Sequence, residues 1–194
     1  MRCDPEWVEE HLQECFEYDG GPLGIGEAAS GEVLERFEGI FPASTLQVWR
    51  TVGFDGLARG RNWFTNPLEW APAVEAWLEG VELPFPDQQW WCITRTPMGS
   101  MQLWGEVSGP ALMVKSVLGA LSPNGSVQPR VADPVMWERI GCSRLLSLTR
   151  DSGVCDDATE RLLVDEGFER FGSLAANEVF ALVPAYCLSG RMEA

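Results

Sequence analysis

One histidine, His11, and one lysine, Lys115, are all that 194 residues contain, and these two shortages remove whole classes of chemistry. His11 sits among glutamates, with no GxSxG turn and no paired cysteine and histidine in view, so nucleophilic catalysis has no base to rest on. The six cysteines, Cys3, Cys15, Cys92, Cys142, Cys155 and Cys187, lie far apart without a CxxC pair, which argues against a zinc site. We expect no metal, no cofactor and no enzyme activity. With one lysine and a net charge of −15 the chain lacks the clustered cations that neutralise a phosphate backbone, which argues against nucleic acid as a partner. No stretch approaches the roughly 18 apolar residues of a membrane span, and the N-terminal MRCDPEWVEEHL carries no apolar signal core. The expected setting is the reducing cytoplasm, with free thiols and no membrane contact.

What is present is a globular composition, 45% hydrophobic and 22% charged, with nine tryptophans. That many indoles fill a core and leave candidates for an interface, where tryptophan is favoured. The acidity is uneven: residues 1–84 hold 16 acids against 5 arginines, a net of −11, which leaves −4 for residues 85–194. Either the charge serves solubility, or the partner is a basic protein.

Residues 41–80 have the clearest pattern, helix, short strand, helix. Pro42 and Ser44 open the first helix, Leu46, Trp49 and Val52 share one face, and Gly53 ends it. After a turn to Gly60, residues 61–65 read as a strand whose neighbours Trp63 and Phe64 point to opposite sides. Asn66 and Pro67 start the second helix, with Leu68, Ala71, Val74, Trp77, Leu78 and Val81 as its apolar stripe.

Upstream, Asp4 and Pro5 begin a helix with Val8, Leu12, Cys15 and Phe16 inward. Glu6, Glu9, Glu10, Gln13, Glu14 and Glu17 line its other face, flanked by Trp7, His11 and Tyr18. Residues 19–26, DGGPLGIG, invite comparison with phosphate-cradling loops but lack the GK[ST] ending and read as a connection. Residues 30–39 form a short helix burying Val33, Leu34 and Phe37. Leu83, Pro84, Phe85 and Pro86 mark a boundary, placing domains at 1–84 and 85–194. Beyond it, residues 90–94 and 100–104 make a hairpin around Thr96, Pro97, Met98 and Gly99, and residues 111–117 a third strand. Trp90 and Trp91 face opposite sides of that sheet, so both sides are covered or one ring is presented. Residues 122–131 are a loop, and Asp133 and Pro134 start a helix carrying Val135, Trp137 and Ile140 and reaching toward Leu145 and Leu148. After an acidic loop at 151–157, Asp157 and Glu160 make a capping box for a helix with Ala158, Leu162, Leu163 and Phe171 inward, stopped by Gly172.

The order Pro42, Trp49, Gly53, Gly60, Trp63, Asn66, Pro67 and Trp77 resembles the GAD-like domain of bacterial type VI secretion immunity proteins. Gly172, Leu174, Glu178, Phe180, Val183, Pro184, Ala185 and Gly190 resemble the closing motif of the C-terminal domain of type VI DNase immunity proteins, and Trp91, Ile93, Met98, Gly99, Trp104 and Gly105 that family's hairpin. Ser189 stands where a second glycine is usual. The resemblance implies an α+β protein of two packed halves that binds and blocks a cognate toxin effector, a basic DNase in the first instance. From the charge distribution, the expected partner-binding residues are Glu6, Glu9, Glu10, Glu14 and Glu17 with Trp7 and Tyr18 as aromatic anchors, and Trp91 as the alternative. A sensor module with a small-molecule or peptide ligand between the halves is the rival reading.

Overall fold

The computed structural model of the chain describes residues 5–124, 134–145 and 161–182. Helices α1 (Pro5–Asp19), α2 (Gly31–Arg36) and α3 (Ala43–Val52) come first. Strands β1 (Gly56–Leu57) and β2 (Asn62–Phe64) follow, then helix α4 (Pro67–Leu78). Strands β3 (Trp90–Arg95), β4 (Met101–Gly105), β5 (Gly109–Lys115) and β6 (Ala120–Pro123) complete a sheet. Helices α5 (Pro134–Leu145) and α6 (Leu163–Phe171) come last. The six strands lie in sequence order and every described pairing is antiparallel, the α+β architecture expected from the sequence.

Alternation along β3 explains the layering. Trp91 and Ile93 join Phe64 and Trp104 in one core with Val8 and Leu12 of α1, Leu46, Val48 and Trp49 of α3, and Ile140 of α5. Trp90 and Cys92 join Met101, Leu103, Leu112 and Val114 in a second core under Val74 of α4. Both sides of the adjacent tryptophans are therefore covered. Leu83 and Phe85 pack on the second core, and the β2–β3 pairing of Trp63 with Arg95 carries the sheet across the segment where the sequence places a boundary. Residues on both sides of position 84 thus share one sheet.

The helix starts follow local chemistry. Ser30 Oγ accepts from the Val33 N–H and Asn66 Oδ1 from the Leu68 N–H, each satisfying an orphan donor of its helix. Helix α3 has no such side chain at Pro42. Instead the distant Glu138 carboxylate of α5 accepts the Ala43 N–H at 2.9 Å and the Ser44 N–H at 3.2 Å, an anion at a helix N-terminus that also fixes α5 on α3. Gly53 closes α3 with a φ of 73°. A side chain there would meet the Glu27 carbonyl oxygen at 2.4 Å, so glycine is required twice over.

Several expectations are corrected. The chain before β2 is a hairpin rather than a plain turn, with Ala58, Arg59 and Gly60 all at positive φ. Leu68 and Val81 stand 40% and 43% exposed, and Trp70 packs on the second core in their place. Residues 120–123 form the edge strand β6 rather than entering a loop at 122, because they pair with residues 112–115. Helix α6 begins at Leu163, and Phe171 is 76% exposed rather than inward, since Leu163, Val164 and Gly167 take the buried side. Asp4, Asp133, Leu148, the loop at 151–157, the Asp157 and Glu160 capping box, and Val183 through Gly190 lie outside the described residues.

Candidate functional site

Helix α1 is held by one face and open on the other. Val8 and Leu12 are buried, and Trp7 and Phe16 pack half-buried against the same core. Glu6, Glu9, Glu10, Glu14 and Glu17 are exposed, and Tyr18 is 90% exposed at the helix end. Spacing puts Glu6, Glu10 and Glu14 on one line one turn apart, with Glu17 and Tyr18 continuing it. Like charges four residues apart cost a helix a few tenths of a kcal/mol per pair, about 0.2–0.5. The last turn carries no basic residue, so Glu17 also opposes the helix dipole. The stripe therefore works against the helix that bears it.

Its neighbours are partly committed. Glu9 Oε1 accepts from Gln47 Nε2 at 3.1 Å, tying α1 to α3. Trp7 stacks on His11 with ring centroids 5.1 Å apart and planes 8° from parallel. His11 Nδ1 lies 3.4 Å from Glu14 Oε2, and its Nε2 lies 3.5 Å from Cys15 Sγ. Tyr18 is the aromatic fully presented beside the acids. Trp91 is not presented: it is 7% exposed, its Nε1–H donates to Glu106 Oε1 at 3.0 Å, and its ring meets Phe37 edge-on. The structure thus brings the five glutamates and Tyr18 together on one helix and leaves Trp91 in the core.

Sequence reading passed over two buried polar groups. Asp55, 3% exposed, accepts backbone N–H groups from Gly24 at 2.6 Å, Gly26 at 3.0 Å and Gly56 at 2.8 Å. The glycine-rich loop does cradle an anion, and the anion is the protein's own carboxylate. Arg95 lies 1% exposed between indoles, its Cζ 4.6 Å from the Trp63 ring centroid and 5.5 Å from that of Trp70. Nearby, burial pushes the Cys92 thiol up to about 12, further than Thr65, Arg95 and Thr94 pull it down. A thiol so held is a packing group, not a nucleophile. Among the described residues, no three His, Cys, Asp or Glu side chains gather as a metal site, and no helix is long and apolar enough to cross a membrane.

Residues 10–118 match the GAD-like domain family. The chain belongs to that family. The match runs past Leu83 and Pro86 and takes in β1 through β5, so the GAD-like unit includes most of the sheet. No curated protein matches the chain. Among solved structures, that of Atu4351 from Agrobacterium tumefaciens is similar with a TM-score of 0.74, at 16% identity, over 94% of this chain and 80% of that one. At such identity the likeness is one of fold, and it extends beyond the GAD-like match to the C-terminal part.

Proposed function

We propose that this GAD-like protein is a cytoplasmic immunity protein that binds and neutralises a cognate type VI secretion effector. The effector is a basic DNase in the first instance, and its active or substrate-binding site is occluded rather than altered by turnover. The observation that carries the reading is the exposed line of Glu6, Glu10, Glu14 and Glu17 ending in Tyr18. A DNase presents cations where phosphate must lie, and a protein surface of opposite sign competes for them and speeds encounter. Affinity would then come from an anchored aromatic, for which the candidates are the exposed Tyr18 at one end of the helix and the half-buried Trp7 at the other.

The test is co-expression with the product of a neighbouring toxin-like reading frame. We expect the two proteins to co-purify, the DNase activity to fall, and cells to survive. Survival that persists when the two proteins do not associate would overturn the reading. Purified protein alone is expected to show no metal-dependent hydrolysis of DNA, and turnover abolished by changing one of its carboxylates would make it an enzyme instead.

A further inference from the structure

Arg95 is the one arginine or lysine in the buried set of described residues, and its partners are the wrong kind for a buried cation. Arg61 reaches the Asp165 carboxylate at 2.6 Å and Arg161 that of Glu169 at 2.6 Å, both near solvent where such pairs matter little. Arg95 has neutral acceptors only. Its Nε–H donates to the Ala176 carbonyl at 3.3 Å, and Nη2 donates to the Ala175 and Ala176 carbonyls at 3.0 and 2.8 Å. Nη1 is buried without a partner. Arg95 Cζ lies over the rings of Trp63 and Trp70, and the guanidinium's hydrogen bonds form in its own plane. An enclosed cation without a matching anion is costly.

Those two carbonyls belong to a thin covering segment. Gly172, at a φ of 81°, ends α6, and of residues 172–179 only Leu174 is buried. The segment is further held by the Phe180 N–H on the Pro97 carbonyl at 2.7 Å and by the Phe180 ring against Phe168. Glu178 is exposed and bonds within its own segment, accepting the Ala175 N–H at 2.8 Å, and it attracts Arg95 without bonding to it. Gly172, Leu174, Glu178 and Phe180 are the described part of the C-terminal motif, which the acidic helix leaves without a task.

We propose that Arg95 is an anion-binding residue under a lid formed by residues 172–180. The Ala175 and Ala176 carbonyls hold its donors in the closed state and yield them to a carboxylate or phosphate oxygen. An oxyanion adds a full opposite charge in the guanidinium plane where a carbonyl offers only a dipole, and in an enclosed site that difference opens the lid. The net charge of −15 opposes any anion at long range, so recognition depends on this local geometry. The inference does not rest on the toxin partner.

The experiment titrates the full chain with inorganic phosphate and, separately, acetate, against chloride at matched ionic strength. Two readouts are followed, the Arg95 Nε–H resonance and hydrogen exchange across residues 174–180. We expect a saturable shift at Arg95 and none at Arg61, with exchange in the lid faster by about tenfold. Response to both anions marks a general oxyanion site, and response to acetate alone marks a carboxylate site. Shifts reproduced by chloride, or lid exchange unchanged by both anions, would overturn the proposal. Arg95→Lys keeps the charge and loses the fork, and we expect it to abolish the saturable response; a response that persists counts against the fork. Should that variant fail to fold, Glu178→Gln removes the nearby competing charge while leaving the guanidinium intact. Half-saturation at several-fold lower phosphate supports the site, and an unchanged or higher value counts against it.

Discussion

Two groups of tryptophans on opposite sides of this sheet are packed differently. Around α1, α3 and α5 the indoles pack on other rings: Trp49 meets Phe37, Phe41 and Phe54 edge-on, and Trp104 meets Phe41 and Trp137. Beside α4, Trp63 and Trp70 pack on a cation. Although Trp91 beside them donates to Glu106, Trp49 and Trp104 in the ring cluster need no hydrogen bonds, since their buried Nε1 atoms have no partner. The cation stack does, because Trp63 Nε1–H donates to the Gly60 carbonyl at 2.8 Å and so ties the stack to the left-handed turn at 58–60. Ring packing holds the first arrangement, whereas a cation and a hydrogen bond hold the second.

The largest effects come from removing one indole of each kind. Trp63→Ala should cost about 5 kcal/mol, the upper end for such core truncations, because it also removes a ring from Arg95 and orphans the Gly60 carbonyl. Trp49→Ala should cost about 3–5 kcal/mol from lost packing alone. The conservative pair sharpens the contrast. Trp49→Phe gives up no hydrogen bond and should lose less than Trp63→Phe, which gives up the Gly60 bond and weakens the contact with Arg95. Thermal melting checks all four, and equal losses for the two phenylalanine variants would erase the distinction.

Much of this was legible in the sequence, and the gaps have physical causes. Caps and periodicity located α2, α3, α4 and the β3–β4 hairpin, because Ser30, Gly53, Asn66, Pro67 and Gly99 act locally. Adjacent Trp90 and Trp91 implied a sheet covered on both sides or one ring presented, and the first of these holds. What distance in sequence hides was missed. The cap on α3 comes from Glu138, 95 positions beyond Ala43, and Arg95 finds its acceptors about 80 positions on. Phe171 fits an inward helical stripe by spacing, yet α6 turns its other side to the core. The line of glutamates on α1 was readable because helical spacing alone sets it, and Trp91 was unreadable as an anchor because burial of a strand residue depends on what crosses it. Asp55 carried no sequence signal beyond its place between Gly53 and Gly56.

A smaller effect tests the seam between the two ends of the ring-packed layer. Glu138→Ala removes both acceptors at the α3 N-terminus and should cost about 1 kcal/mol, in the range of ordinary helix caps. Because Trp137 lies beside it on Trp104, the loss should appear as faster hydrogen exchange at the first turn of α3 and in α5. Unchanged exchange there would show that ring contacts, not the carboxylate, hold α5.

The smallest effect on stability is expected where the effect on function should be greatest. Reversing Glu10, Glu14 and Glu17 to lysine touches no buried side chain. It places cations toward the C-terminal end of α1, where the helix dipole favours them, and it pairs Lys at position 10 with Glu6 one turn earlier. The three changes together should therefore leave the protein as stable as before or more stable by about 0.3–1 kcal/mol, measured by thermal melting. A merely solvated face predicts that same small gain and nothing else. A docking face predicts in addition that association with the toxin slows by about tenfold or more at low salt and loses most of its salt dependence, because steering is screened over roughly 10 Å. Stopped-flow association across a salt series reads both quantities, and melting on the same sample shows that the fold is intact. A gain in stability with unaltered association would move the interface off α1; a gain in stability with slowed association and lost protection in cells would mean that these glutamates are kept for the partner at the helix's expense.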